Sequence, residues 1–162
     1  MEEKKIHLTV NSRKHSFYIP PNVTLLRTLR DHLGYTEVKN GCESGDCGAC
    51  TVIMNGKAVN SCIVLIWQAD GSEIVTVAGL GDKDHPHPIQ QAFADSGASQ
   101  CGYCTPGMVM STYALLEENP HPNEEEIRMA LSGNLCRCTG YGHIIKAVQQ
   151  AAEVMQPAGG EK

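Results

Sequence analysis

Residues 41–50 read Gly41-Cys42-Glu43-Ser44-Gly45-Asp46-Cys47-Gly48-Ala49-Cys50, and this stretch decides the fold. A fourth cysteine, Cys62, follows after eleven further residues. The spacing C-x4-C-x2-C with a later fourth cysteine is the plant-type pattern for a 2Fe–2S cluster held by four thiolates. The fourth ligand can come from farther along the chain because it only closes the cage. We therefore expect Cys42, Cys47, Cys50 and Cys62 to hold one cluster.

Glycines separate the cysteines of this loop. Three thiolates must converge on one cluster, so the chain has to wrap it closely, and larger side chains would block much of that wrapping. Gly41, Gly45 and Gly48 permit a positive φ and let backbone N–H groups approach the sulfurs. We expect those N–H groups to stabilise the anionic cluster and to help set its reduction potential.

A zinc site and a disulfide knot are the alternatives for this loop. Zinc ribbons use two short C-x2-C pairs, whereas this loop has a C-x4-C-x2-C triple. No signal peptide is visible near Met1, and the longest apolar run, residues 63–67, is far too short to span a bilayer. We therefore expect a cytoplasmic protein, and in a reducing compartment clustered cysteines indicate metal more often than disulfides.

Composition excludes some other functions. The chain has 162 residues, which suits one domain or two small ones, and its hydrophobic fraction of 41% is ordinary for a soluble globular protein. The formal net charge of −5 provides no basic field for nucleic acid or a membrane surface. The sequence contains no Ser-His-Asp set, phosphate loop or GxGxxG, so we predict no catalytic residue for an organic substrate within this chain.

The first half of the chain alternates apolar and polar residues in the manner of half-buried strands. Thr24 is a candidate cap for a short helix that Gly34 ends, and Asn55-Gly56 is typical of a type I′ hairpin turn. The predicted strands are residues 6–10, 17–19, 51–54, 57–59 and 74–77. This pattern predicts a ferredoxin-like β-grasp domain over residues 1–78.

A linker rich in Gly, Asp and Pro follows at residues 79–86, and the β-branched alternation then disappears. We predict four helices in residues 87–162. The first covers residues 88–95. The second has Thr105 as its N-cap and continues until Pro120. The third follows a capping box at residues 123–126 and ends at Gly133, and the fourth covers about residues 143–155. Residues 156–162 are predicted to form a loose tail. The fold class is therefore α+β, with a β-grasp domain followed by a four-helix-bundle domain.

The second half has its own four cysteines, Cys101-x2-Cys104 and Cys136-x-Cys138. A tetrahedral zinc site would accept these two pairs, although C-x-C is a less usual zinc spacing. Each pair lies beside a predicted helix, and two such junctions meeting across a bundle would bring the four sulfurs together. Nearby glycines at positions 102, 107, 133, 140 and 142 again allow close backbone approach. The spacing favours a second iron–sulfur cluster and leaves zinc open.

Three motifs together resemble a known family. They are residues 41–50, Gln100-Cys101-Gly102-Tyr103-Cys104-Thr105-Pro106-Gly107 and Asn134-Leu135-Cys136-Arg137-Cys138-Thr139-Gly140-Tyr141. In this order they closely resemble the small iron–sulfur subunit of the xanthine dehydrogenase, or molybdenum hydroxylase, family. The resemblance covers about residues 6–155, and no motif position departs from the pattern.

The resemblance implies a role for the chain. It implies two 2Fe–2S clusters, one in each domain, and a large partner subunit whose molybdopterin cofactor hydroxylates the substrate with oxygen from water. The helical-domain cluster would take electrons from molybdenum, and the plant-type cluster would pass them on, usually to an FAD-binding subunit. Because the sequence ends at Lys162, we expect the molybdenum and flavin parts to be separate polypeptides in a heterotrimer or a dimer of heterotrimers.

The resemblance also implies a contact across the interface. In similar subunits, the residues that correspond to Gln100 and Cys138 lie against the pterin of the molybdenum cofactor. Gln100 capping its own cluster loop is the alternative. A free-standing diffusible ferredoxin is a rival for the whole chain, although a one-cluster carrier does not need a second domain. A zinc-stabilised interaction module is a rival of another class.

Overall fold

The computed structural model describes residues 2–155, and the predicted tail at residues 156–162 lies outside them. The first half forms one mixed sheet of five strands in the order β2-β1-β5-β3-β4. The strands are β1 Lys4–Val10, β2 Arg13–Ile19, β3 Thr51–Met54, β4 Lys57–Asn60 and β5 Glu73–Val75. Only the β1–β5 pair is parallel. This is the β-grasp arrangement that the sequence predicts.

Turn chemistry fixes the two hairpins of this sheet. Asn55 and Gly56 both have positive φ, at 49° and 82°, as a type I′ turn between β3 and β4 requires. Asn11 and Ser12 make the corresponding turn between β1 and β2, with φ of 48° and 66°. The registers that result place Ile6 opposite Phe17 and Val52 opposite Val59.

A short helical segment packs against the sheet before the cysteine loop. Thr24 caps α1, Leu25–Arg27, because its side chain accepts a hydrogen bond from the Arg27 N–H group. The next five residues, Thr28–His32, continue as a π-helical turn, which the sequence did not predict. Gly34 follows with φ of 82° and ends the segment, as predicted.

Four helices form the second half. They are α2 Pro88–Asp95, α3 Thr105–Glu118, α4 Glu124–Ala130 and α5 Gly142–Met155. The predicted capping box before α4 is confirmed, since the Asn123 side chain accepts from the Glu126 N–H group and the Glu126 carboxylate accepts from the Asn123 N–H group. No helix within residues 2–155 has both the length and the apolarity needed to cross a membrane.

Three predicted boundaries differ from the structure. The last strand ends at Val75 rather than at residue 77, because the Asn11 side chain binds both the N–H group and the hydroxyl of Thr76 and so replaces strand pairing there. The N-cap of α3 is Cys104 rather than Thr105, whose hydroxyl contacts Ser99 instead. Helix α4 ends at Ala130, a turn before Gly133.

Each half buries its own hydrophobic core. The first core contains side chains from the sheet and α1, such as Val10, Leu25 and Ile74. The second contains side chains from α2 to α5, and Val77 and Leu80 pack against it from the connecting segment. The domain borders at residues 78 and 86 stay a prediction.

The two halves meet at glycines. A Cβ on Gly107, in the first turn of α3, would collide with the carbonyl group of Gly48 in the cysteine loop. A Cβ on Gly48 would lie 2.5 Å from Nδ2 of Asn134. The buried Asn134 side chain donates from Nδ2 to the Gly48 carbonyl at 3.1 Å and accepts from the Ser111 hydroxyl at 2.7 Å. The helical domain thus packs directly on the first cysteine loop.

Candidate metal centres

The first cysteine set lies between α1 and the β3–β4 hairpin. Cys42 and Cys47 are partly exposed on the loop, whereas Cys50, directly before β3, and Cys62, in the short 3-10 turn after β4, are buried. The hairpin brings Cys62 back to the loop, and Asn60 fixes the approach by donating from Nδ2 to the Gly45 carbonyl at 2.7 Å. The four predicted ligands of the first cluster are therefore brought together.

The loop wraps its sulfurs as its glycines predict, with one correction. Gly45 and Gly48 have positive φ, but Gly41 does not. Gly41 is needed for space instead, because a Cβ there would lie 2.6 Å from Sγ of Cys47. N–H groups of Ser44 and Cys47 point at Cys42 Sγ, at 3.4 Å and 3.5 Å.

Hydrogen bonds and burial shift the pKa values of thiols in the first set in opposite directions. Hydrogen bonds from the Ser44 side chain and from the Ser44 and Cys47 N–H groups lower the pKa of Cys42 to about 6. Burial, with Cys50 beside it, raises the pKa of Cys62 to about 12. Only thiolates bind metal, so Cys42 offers a ligand near neutral pH whereas Cys62 ionises when a metal draws off its proton.

The second cysteine set lies where two loops meet at one end of the helical domain. Cys104 caps α3, and Cys136 and Cys138 lie on the loop between α4 and α5. Burial, with Cys136 beside it, raises the pKa of Cys104 to about 12. Burial opposes ionisation of Cys136, but hydrogen bonds from Thr139 hold its pKa below the usual value. Cys101 and Cys138 are both exposed.

The eight thiols meet two by two. In the first set, Cys47 lies within hydrogen-bonding reach of Cys42, and Cys62 lies within reach of Cys50. In the second set, Cys104 lies within reach of Cys136, and Cys138 lies within reach of Cys101. Within residues 2–155, no three Cys, His, Asp or Glu side chains converge as a site for a single metal ion. A 2Fe–2S cluster takes two thiolates on each iron. Two pairs in each set therefore fit one two-iron cluster per domain.

A small cavity separates the two sets. Its volume is about 180 Å³, and it is lined by Gly41, Cys47 and Ala49 on one side and by all four cysteines of the second set on the other. The Leu135 N–H group, next to Cys136, donates to the Cys47 carbonyl at 2.9 Å. One hydrogen bond therefore links the backbones of the two cysteine loops.

Gln100 is exposed beside Cys101, and its side chain makes no hydrogen bond to any of residues 2–155. Nothing in that part of the chain thus supports the alternative that it caps its own loop. Tyr103 and Leu135 are exposed on the same surface, Leu135 by 56%. We call the surface formed by Gln100, Cys101, Tyr103, Leu135 and Cys138 the helical-domain face.

Three residues that hold this site could not be recognised from the sequence. Asn134 joins the two domains, Tyr141 binds the loop between Asn134 and Cys136, and Thr139 donates to a cysteine sulfur. All three lie within the third motif. Their polar side chains, one to three residues from a cysteine, were the available signal, but the spacing does not reveal which atom each one reaches.

Two family models match the chain. A model described as "2Fe-2S iron-sulfur cluster binding domain" matches residues 8–75, and one described as "2Fe-2S binding domain" matches residues 76–149. Together they cover both cysteine sets.

Known proteins are similar to this chain in sequence and in structure over most of its length. The nicotinate dehydrogenase small FeS subunit of Eubacterium barkeri is 50% identical over 153 residues, which are 94% of this chain and 98% of that protein. The crystal structure of quinoline 2-oxidoreductase from Pseudomonas putida 86 matches with a TM-score of 0.90 at 41% identity, over 95% of this chain and 96% of the matched chain. Aldehyde oxidoreductase from Desulfovibrio gigas matches with a TM-score of 0.89 at 40% identity, over 93% of this chain but only 17% of its own.

Proposed function

This chain belongs to the family of small 2Fe–2S subunits of the xanthine dehydrogenase-like molybdenum hydroxylases, and we propose that it carries electrons out of a molybdenum-containing partner subunit. It is the iron–sulfur part of an oxidoreductase. The pairing of its eight thiols two by two, with Cys47 and all four thiols of the second set lining one cavity between the sets, is the observation that carries the proposal.

The bound 2Fe–2S clusters supply reversible one-electron uptake. The residues of this chain control three other properties. Cys42, Cys47, Cys50 and Cys62 hold the first cluster in the proposal, and Cys101, Cys104, Cys136 and Cys138 hold the second. Contacts through Gly48, Gly107 and Asn134 keep the two sets at a fixed separation. N–H groups that point at the sulfurs stabilise negative charge on them.

The proposal assigns the electron entrance to the helical-domain face. Cys101 and Cys138 are exposed there, so a partner's cofactor can approach these sulfurs closely. Gln100 has an amide available for that partner, and we assign Gln100 and Cys138 to the contact with the pterin of the molybdenum cofactor. Burial of Tyr103 and Leu135 under the large subunit would supply apolar contact area.

The electron exit lies near the first cysteine set in this proposal. Ile63 and Trp67 follow Cys62 and are 61% and 53% exposed, although both are large and apolar. The Ile63 side chain lies over Gly45 of the cysteine loop. Exposed apolar groups beside a redox site are typical of an interface, and we assign this one to an FAD-binding subunit. The assembly proposed is a heterotrimer or a dimer of heterotrimers.

Compartment and substrate follow from different observations. None of the eight cysteines forms a disulfide, which is expected in the reducing cytoplasm, where we place the protein.

The names of the similar proteins include a nicotinate dehydrogenase, a quinoline oxidoreductase and an aldehyde oxidoreductase. Because proteins named for such different substrates share a similar iron–sulfur part, we infer that the partner subunit, not this chain, selects the substrate.

A diffusible ferredoxin is the rival function, and purification of the native complex separates the two. A tagged chain, isolated anaerobically from cells with molybdenum, is expected to retain a large molybdopterin-containing subunit through gel filtration. Substrate of that complex should bleach the visible absorbance of this chain's clusters within one turnover. Isolation of the chain alone, with clusters that only an external reductase reduces, would support the rival.

A further inference from the structure

Thr139 is the hydroxyl residue that donates from its side chain to a sulfur of the second cysteine set. Its Oγ1 lies 3.1 Å from Cys136 Sγ, and its N–H group points at the same sulfur at 3.5 Å. The Tyr141 N–H group donates to Thr139 Oγ1 at 3.2 Å. Because that N–H group occupies a lone pair of the oxygen, the hydroxyl proton is left to point at the sulfur.

The backbone at Cys136 has an anchor besides Thr139, the Tyr141 hydroxyl. The Tyr141 hydroxyl accepts from the Cys136 N–H group at 2.9 Å and donates to the Asn134 carbonyl at 3.1 Å. Cys136 is therefore fixed on the backbone side by Tyr141. Removal of the Thr139 hydroxyl should change the electrostatic environment of the sulfur without moving the ligand.

We propose that Thr139 sets the reduction potential of the helical-domain cluster by donating its hydroxyl proton to Cys136. This inference rests on the proposed two-cluster function and adds a positioning residue to it. Reduction adds an electron whose charge is shared by the sulfur ligands, so a donor to one of them stabilises the reduced form more than the oxidised form. The hydroxyl thus raises the potential of the cluster that lies next to the electron entrance and makes it a better acceptor.

The contacts of the first cysteine set explain why we assign this control of the reduction potential by a side-chain hydroxyl to the second set. Cys42 accepts from two backbone N–H groups, which no side-chain substitution removes. The Ser44 hydroxyl is a donor to Cys42 as well, but its Oγ also lies 2.5 Å from the Asp46 carboxylate, so two acceptors compete for its single proton. Within residues 2–155, the Thr139 hydroxyl makes hydrogen bonds only with Cys136 Sγ and the Tyr141 N–H group, so no carboxylate competes for its proton.

The test compares three substitutions in the anaerobically purified complex. Thr139→Val keeps the branched shape and removes the hydroxyl, and Thr139→Ser restores the hydroxyl. Thr105→Val is the matched control, because Thr105 adjoins Cys104 but its hydroxyl contacts Ser99. Redox titrations followed by electron paramagnetic resonance give the midpoint potential of each cluster, and the plant-type cluster serves as an internal reference.

Thr139→Val should lower the midpoint of the helical-domain cluster alone, by about a tenfold change in the reduction equilibrium, as expected for one hydrogen bond to a charged group. For a one-electron couple, this fold-change is about 59 mV. Thr139→Ser and Thr105→Val should keep the wild-type value. An unchanged midpoint in Thr139→Val, an equal shift in Thr139→Ser, or a shift of both clusters together would overturn the inference. Two cluster signals in the wild type are established first, so failure of the proposed function is recognised separately.

Discussion

Gly107→Ala is expected to disrupt the contact between the two domains. The added methyl group would lie well within 3.0 Å of the Gly48 carbonyl oxygen, a distance that real Cβ atoms essentially never show, and 3.1 Å from the Ala49 Cα atom. These atoms belong to the backbone of the cysteine loop and cannot rotate away. The first turn of α3 and the loop must therefore separate.

The size of the effect follows from two opposing contributions. Alanine is favoured over glycine within a helix by up to about 1 kcal/mol. Overpacking of a close contact costs about 1–3 kcal/mol, and a clash with backbone lies at the upper end of that range. We therefore expect Gly107→Ala to be roughly 2 kcal/mol less stable than the wild-type protein, because the helix gain offsets only part of the overpacking cost. For a protein of this size, that difference lowers the midpoint temperature by about 4–8 °C.

Gly142→Ala is the matched control. Gly142 begins α5, has no positive φ, and a Cβ there would meet no atom within 4 Å. Thermal loss of the visible cluster absorbance gives the midpoint temperature of each variant, and magnetic coupling between the two reduced clusters reports their separation. The coupling should weaken in Gly107→Ala and stay unchanged in Gly142→Ala. Equal midpoint temperatures and equal coupling in the two variants would refute the reasoning about the glycine contact.

Three further predictions concern single side chains. Cys47→Ser should remove the plant-type cluster and keep the helical-domain cluster, so that substrate reduces molybdenum and the remaining cluster but not the flavin. Rapid-freeze electron paramagnetic resonance measures which centres are reduced, and prompt flavin reduction would contradict the proposed order of electron transfer. Gln100→Ala should leave both cluster spectra intact and slow electron transfer out of molybdenum by up to about tenfold, as the loss of one or two hydrogen bonds predicts. Normal pterin content together with normal transfer rates would contradict the assignment of Gln100 to the interface. Asn134→Ala should destabilise the protein by about 1–2 kcal/mol in denaturant titrations, because it removes two hydrogen bonds and leaves the Ser111 hydroxyl without its acceptor, whereas the Gly48 carbonyl keeps its hydrogen bonds from Thr51; wild-type stability would contradict this role.

Local chemistry explains why much of the fold was predictable from sequence. The Asn55-Gly56 turn and the Asn123–Glu126 capping box each specify a backbone conformation within four residues. The alternation of apolar and polar residues around these signals then indicates which face of each strand packs on the core. The cysteine spacing was equally informative, because four ligands on one cluster leave few loop lengths that fit.

Contacts between distant residues explain what sequence did not predict. β5 ends early because Asn11 reaches Thr76, 65 positions away. The Gly107–Gly48 contact joins two domains, and no local pattern marks a glycine as being close to another backbone. The Thr139 hydroxyl contacts the sulfur of Cys136, three residues back, and the spacing of the motif does not reveal this contact.

Iron and acid-labile sulfide content per chain is the measurement that tests the central claim most directly. Two four-thiolate sets that each hold a 2Fe–2S cluster require about four irons and four sulfides per chain in anaerobically purified protein. The account predicts that stoichiometry, without zinc. A content of about two irons per chain, or one zinc per chain with a colourless helical domain, would contradict it.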